Sequence, residues 1–174
     1  MNNSSGIERH IISVLVDNEP GVLARVIGLF SGRGYNIESL TVAEVEGTLG
    51  LSRISIVTSG TPMVIEQIKS QLARLVPIHS VRDLTEMGVA IERELALVKI
   101  INEGKNRIEA LRIADTFRAR TLDSTLDSFV FEVTGNSSKV AAFIDLMRSL
   151  GDVEIARTGV SAISRGNRID LTAK

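Results

Sequence analysis

Two kinds of hydrophobic pattern alternate at the start of the chain. His10 to Val16 is a nearly continuous apolar, β-branched run, which is typical of a strand covered on at least one face. Polar residues 17–19 interrupt it, Pro20 is expected at the first helical position, and Gly34 supplies a stop. Between them, apolar residues recur at helical spacing: Val22, Leu23, Val26, Ile27 and Phe30. The pattern predicts a strand, a turn and a helix.

The next fifty residues predict two strands, a helix and a further strand. Residues 35–43 and 51–58 alternate apolar with polar positions, and the glycines between them indicate a hairpin. Thr61 followed by Pro62 predicts a helix start. Pro77 ends that helix, and residues 78–84 form a weaker strand candidate. The helix has one apolar stripe, made by Ile65, Ile68, Leu72 and Leu75.

The second half repeats this order. Residues 95–101 predict a strand, and Asn106 is expected to cap a helix. Two strands at 122–126 and 129–133 follow, and then a helix closed by Gly151. A last extended segment is predicted from two pieces, 153–156 and 160–163.

The order β-α-β-β-α-β packs two helices on one face of a four-stranded antiparallel sheet, the ferredoxin-like arrangement. Written twice, it predicts an α+β fold with two ferredoxin-like βαββαβ domains. We expect the domains at residues 8–85 and 90–166, and a disordered tail at 167–174.

Composition excludes several classes of protein. The 174 residues carry a net charge of −1 and only 3% aromatic side chains, so neither a broad attraction to phosphate nor stacking on bases is expected. We therefore expect no nucleic-acid partner. No apolar run approaches the roughly 18 residues of a membrane span, and cysteine is absent. A cytoplasmic protein without membrane contact is the resulting expectation.

Residue sets for catalysis or metal binding are missing from the sequence. His10 and His79 have no metal-ligand spacing, and a structural or solvent-facing role is predicted for both. Neither a nucleophile elbow nor a phosphate-binding glycine loop is present. Acidic pairs such as Glu92 with Glu94, or Asp123 with Asp127, are expected to face water rather than to form an acid/base pair. Hence no catalytic residue and no metal ligand is predicted.

The turn Asp17-Asn18-Glu19-Pro20-Gly21 has two interpretations. Free N–H groups at a helix N-terminus attract a carboxylate. Asn18 offers both a donor and an acceptor, which suits an amino-acid zwitterion. Gly21 lacks a Cβ and permits close approach by a ligand or a second subunit. The same residues could equally well make an ordinary helix start.

Longer motifs resemble a known family. The first strand running into DNEPGVLARVIGLF is similar to the start of an ACT domain, the small-ligand module of many amino-acid pathway enzymes. RGYNIESLTV from Arg33 and LSRISI from Leu51 resemble the regulatory small subunit of acetolactate synthase, also called acetohydroxyacid synthase. In the second half ERELALVKI, FRA and RTGVSAISRG support the same family. The resemblance covers about residues 8–166.

The resemblance implies a function and a site. It implies that valine, or a related branched-chain amino acid, binds between the ACT domains of two subunits in a homodimer, with contacts from Asn18, Gly21 and Asn36. It also implies a non-catalytic chain that activates the catalytic large subunit and transmits feedback inhibition to it. Thiamine diphosphate, FAD and magnesium would belong to that large subunit. The alternative is a stand-alone ACT-type amino-acid-responsive regulator, which would need a nucleic-acid surface if it acted on transcription.

Overall fold

A computed structural model describes residues 6–45, 47, 50–88 and 90–167 of the chain. The chain forms two compact units. The first contains residues up to Ile91 together with the segment from Val160 onward, and the second contains residues 92–159. The predicted tail lies outside the described residues except for Asn167.

The first unit begins with the predicted strand and helix. Its elements are β1 (Glu8–Asp17), α1 (Val22–Arg33), β2 (Ser39–Glu44), β3 (Leu51–Gly60), α2 (Pro62–Leu72) and β4 (Ile78–Asp83). The sheet order is β2-β3-β1-β4, with antiparallel neighbours throughout. Alternate residues of β1 pack against both helices in a core that includes Ile12, Val14, Phe30, Ile56 and Ile68. Burial of this apolar face is the main force that holds the helices on the sheet.

The ends of the two helices follow from local sequence, with one correction. Gly34 ends α1 in a left-handed conformation, φ 71°, and the Thr61 hydroxyl accepts a hydrogen bond from Val64 N–H at the start of α2, as predicted. Pro20 is not the first helical residue. It lies in the turn, and Gly21 precedes the helix with φ 88°, a conformation that glycine adopts without steric cost.

The second unit has the same architecture. It contains β5 (Ile91–Ile101, of which Ile91 belongs to the first unit), α3 (Lys105–Thr116), β6 (Arg120–Ser124), β7 (Ser128–Gly135), α4 (Ser137–Arg148) and β8 (Asp152–Arg157). The sheet order is β6-β7-β5-β8. Its core includes Val98, Ile100, Phe131, Phe143 and Met147. The predicted α+β fold with two ferredoxin-like units is confirmed.

Two details of the second half differ from expectation. Gly104, not Asn106, precedes α3, and the Asn106 side chain donates instead to the Leu150 carbonyl, 2.9 Å away. The last extended segment is not one strand, because β8 ends at Arg157 and a separate strand, β9 (Ser161–Ile163), packs with the first unit. The first unit is therefore larger than the predicted 8–85, and the second is shorter than the predicted 90–166.

Strand β9 covers the side of the first sheet that carries no helix. Val160 and Ala162 are buried there in a small apolar cluster with Ile11, Val57 and Leu84. Both faces of the first sheet are consequently covered, which explains why β1 is apolar at nearly every position and not only at alternate ones.

Across the described part of the chain, none of the helices combines the length and the apolar content that a membrane crossing requires.

Candidate effector site

The turn between β1 and α1 presents an open helix N-terminus. No side chain caps α1, whereas Thr61 caps α2 and Asn136 caps α4. The first N–H groups of a helix have no partner within the helix, and they lie at the positive end of its dipole. Asn18 and Gly21 are both exposed beside these groups. The Asn18 side chain does not serve as the helix cap. The Val22 N–H donates to the Glu19 carbonyl at 3.4 Å, and no side chain in the described part of the chain caps the start of the helix.

Strands on both sides hold this turn in place. Asp17 N–H donates to the Pro77 carbonyl over 2.9 Å, and Asn18 N–H donates to the Gly50 carbonyl over 2.7 Å. His79 Nε2 lies 2.6 Å from Asp17 Oδ1. The structural role predicted for His79 is thus its pairing with the first residue of the turn. A turn fixed in this way is preorganised, which lowers the entropic cost of binding.

Asn36 lies at the opposite end of the sheet. Its carbonyl accepts a 2.7 Å hydrogen bond from the Thr58 hydroxyl, and Thr58 is paired with His10 on β1. Asp17 is seven residues further along β1, which at about 3.4 Å per residue is a distance of roughly 24 Å. One chain therefore brings Asn18 and Gly21 together but does not bring Asn36 to them.

A buried histidine–aspartate pair lies near the end of the sheet where Asn36 is found. His10 Nδ1 is 2.7 Å from Asp83 Oδ2, and both side chains are almost fully buried. Together with Glu86 they place possible metal-ligand atoms within 4.8 Å of one another. Glu86 is, however, paired with Lys69 over 2.6 Å, and Asp83 also accepts hydrogen bonds from the N–H groups of Thr85 and Glu86. These internal bonds fit a structural role for His10, the role that the sequence predicts.

The expectation that the acidic residues considered from the sequence face water is wrong for Glu94 and confirmed for Asp123 and Asp127. Glu94 is buried, but its carboxylate binds the guanidinium of Arg157 and is 3.5 Å from the Ser137 hydroxyl. Asp123 and Asp127 are exposed. The Glu94 carboxylate is thus held by partners within the second unit.

Sequence reasoning missed two polar residues of β2, Ser39 and Thr41. Both bond the backbone of Val160. Their spacing of two places them on the same side of the strand, but only the packing of β9 shows which residue they meet. No motif at the sequence level identifies such a contact.

Comparisons with known proteins match the whole of this architecture. Residues 12–80 match the family described as the AHAS small subunit-like ACT domain. Residues 93–166 match the family described as the small subunit of acetolactate synthase.

Relatives and a solved structure extend the match to nearly full length. A protein of Archaeoglobus fulgidus named "Probable acetolactate synthase small subunit" is 50% identical over 160 residues, which are 92% of this chain and 99% of the relative. The acetolactate synthase isozyme 3 small subunit of Escherichia coli is 46% identical over 162 residues, 92% of this chain and 98% of the relative. The crystal structure of the Thermotoga maritima acetolactate synthase small subunit has a TM-score of 0.81 at 40% identity, covering 92% and 99% of the two chains.

Near-complete coverage at this level of identity, over both units, leaves one conclusion: this chain belongs to the family of acetolactate synthase small subunits, and its first unit is an ACT domain.

Proposed function

We propose that the chain is the regulatory subunit that binds valine, or another branched-chain amino acid, and confers activation and feedback inhibition on the catalytic large subunit of acetolactate synthase. The observation that supports this most directly is the open, uncapped N-terminus of α1 beside the exposed Asn18 and Gly21. Family membership indicates the pathway in which the chain acts, and the turn indicates which chemical groups of a ligand it can bind.

The turn suits the charged ends of an amino acid. The N–H groups at the start of α1 attract the carboxylate, because the helix dipole is positive there. The side-chain amide oxygen of Asn18 can accept a hydrogen bond from the ammonium group. Gly21 leaves open space, since no atom lies within 4 Å of the position that a Cβ would occupy. A small aliphatic amino acid can therefore approach the backbone closely.

A second copy of the chain would complete the site. Strand β2 is at the edge of the first sheet, and among the described strands only β3 pairs with it, so its outer side can take another strand. If two β2 strands pair antiparallel about a two-fold axis near Thr41 and Val42, the start of each strand meets the end of the other. The end of β2 lies level with the end of β1, because Glu44 and Val16 are both paired with Ser52. Such pairing would bring Asn36 of one copy to the same end of the joined sheet as Gly21 of its partner.

Such a dimer accounts for all three effector residues. Within one chain Asn36 is too far from the turn to share a ligand with it, and pairing across the β2 edges would put it at the same end of the sheet as the partner's turn. Each dimer would then hold two equivalent sites, each made from two chains.

In this proposal the catalytic steps belong to the partner. The large subunit would hold thiamine diphosphate, FAD and magnesium, and this chain would contribute no residue to the reaction. Its contribution is a coupling free energy between the amino-acid site and the partner, typically about 1–3 kcal/mol in allosteric proteins.

Complementation between two defective chains tests the shared site. Gly21→Asp should disable the turn, and Asn36→Ala should remove the opposite contact. Each variant alone should leave the holoenzyme resistant to valine. Mixed before assembly, they form heterodimers in which one site contains both defects and the other is intact, so partial inhibition of acetolactate formation should return.

The control is a mixture of Gly21→Asp with Asn18→Ala, which alters the same side of the site. That mixture should stay resistant, since each site receives one defective turn. Equal recovery in both mixtures, or none in either, would contradict a site made from two chains. A wild-type holoenzyme that valine neither binds nor inhibits would contradict the proposed effector.

A further inference from the structure

Two side chains of β2 hold the segment that carries β9. The Thr41 hydroxyl donates to the carbonyl oxygen of Val160 at 2.9 Å, and the N–H of Val160 donates to Ser39 Oγ at 2.7 Å. Both backbone polar groups of Val160 are thus bonded by residues two positions apart on one strand. We call these two bonds the clasp.

The clasp holds a buried contact in place. Val160 is 2% exposed and Ala162 is 4% exposed, and both pack on Ile11, Val57 and Leu84. Ser39 is paired with Val57, and Val57 is paired with Ile11. The three residues form a row across the sheet, and the clasp lies at the β2 end of that row. A shift of β2 relative to β3 would therefore disturb both the hydrogen bonds and the apolar contact at once.

The position of the clasp connects two parts of the chain that matter for regulation. Ser39 and Thr41 lie on the edge strand that begins just after Asn36. Val160 follows Gly159 and Thr158, and Thr158 N–H donates to the Leu95 carbonyl in the second unit. The covalent path from the clasp to β8 is therefore only three residues long.

We infer that the clasp of Ser39 and Thr41 on Val160 passes the occupancy of the effector site on to the second unit. This inference rests on the proposed function, because it takes β2 as the strand at which the amino acid acts. Effector binding at the start of β2 favours one position of that strand, and the clasp makes the segment 158–160 follow it. Coupling of this kind needs an element with two arrangements that the ligand biases.

Thr41→Val tests the inference. Valine has the shape of threonine but cannot donate, so the bond to the Val160 carbonyl is lost while the packing is kept. Ser39→Ala removes the other bond. Calorimetric titration should show that the affinity for valine changes by less than about threefold, since neither hydroxyl is an effector contact. In the holoenzyme, saturating valine should inhibit acetolactate formation much less than in wild type. The coupling factor between valine binding and the catalytic subunit should fall at least about fivefold.

The matched control is Thr116→Val in α3, whose hydroxyl donates to the Arg112 carbonyl at 2.8 Å and faces solvent. It loses the same kind of hydrogen bond and should leave inhibition unchanged. Thr41→Ser restores a donor and should restore inhibition. Denaturation curves confirm that each variant is folded, and Ser39→Ala serves as the milder change if Thr41→Val unfolds.

Wild-type inhibition in folded Thr41→Val and Ser39→Ala would overturn the inference. Loss of valine binding in either variant, when sedimentation shows that the variant still dimerises, would also overturn it, because the residues would then belong to the effector site itself. Failure of the wild-type chain to bind valine would instead overturn the proposed function, so the two failures are distinguishable.

Discussion

Gly21 combines two requirements at one position: a left-handed backbone and room for a ligand. Its φ of 88° means that any other residue costs about 1 kcal/mol in conformational strain. No atom lies within 4 Å of a Cβ built at this position, so a side chain there would extend outward to where the ligand carboxylate is proposed. If the proposed site is correct, substitutions at Gly21 should therefore act on binding more than on packing.

A comparison of Gly21→Asp with Gly21→Asn separates charge from strain. The two side chains have nearly the same size, and both are among those that best tolerate a left-handed conformation. The aspartate adds a negative charge within a few ångström of the ligand carboxylate, a repulsion of about 1–4 kcal/mol. We expect calorimetry to show valine binding at least about tenfold weaker for the aspartate variant than for the asparagine variant. Equal affinities would show that the carboxylate binds elsewhere.

At the scale of the element, β9 illustrates a strand defined by what it packs against. It has only three residues and no stripe or alternation long enough to assign it to a sheet. Val160, the residue just before it, and Ala162 within it nevertheless fill buried positions over the open face of the first sheet. A chain that ends before Val160 would leave Ile11, Val57 and Leu84 uncovered, so residues 8–85 alone do not constitute the complete first unit.

Val160→Ala tests the contribution of this packing. Removing two buried methyl groups costs about 0.8 kcal/mol each, and the remaining cavity adds to that. We expect the free energy of unfolding to fall by about 2 kcal/mol in a denaturant titration of the full chain. Ile163→Ala is the control, because Ile163 is 54% exposed and its truncation should cost less than about 0.5 kcal/mol. Similar losses in both variants would show that β9 contributes little through its buried side.

The sequence predicts the elements better than their assembly. Helical periodicity in α1, α2 and α4 and the cap at Thr61 are local properties, and the structure confirms them. The prediction that Pro20 is the first helical residue is wrong, because Gly21 adopts a left-handed conformation and the helix begins two residues later, at Val22. The turn that carries Asn18 and Gly21 can likewise be predicted, because it depends only on neighbouring residues. The distance to Asn36 follows from strand register, which depends on contacts between residues far apart in the chain.

At the scale of the whole molecule, a ligand shared by two chains must stabilise their association. If valine binds only where Asn18 and Gly21 of one copy meet Asn36 of another, it binds the dimer and not the monomer. Mass action then lowers the apparent dissociation constant of the dimer as valine is added. In this proposal valine binding and dimerisation are linked equilibria, so a measurement of one tests the other.

Sedimentation of the isolated full chain at decreasing concentration measures this link. At a valine concentration 100 times its dissociation constant, each of the two sites stabilises the dimer by about 2.7 kcal/mol. The dissociation constant of the dimer should therefore fall by roughly four orders of magnitude. Asn36→Ala should reduce the effect, since lost hydrogen bonds of about 0.5–1.5 kcal/mol each lower the affinity for valine. The side chain of Asn36 is exposed, and only its carbonyl bonds to Thr58, so this variant should dimerise like wild type without valine. A dimer whose dissociation constant is the same with and without bound valine would show that the site lies within one chain.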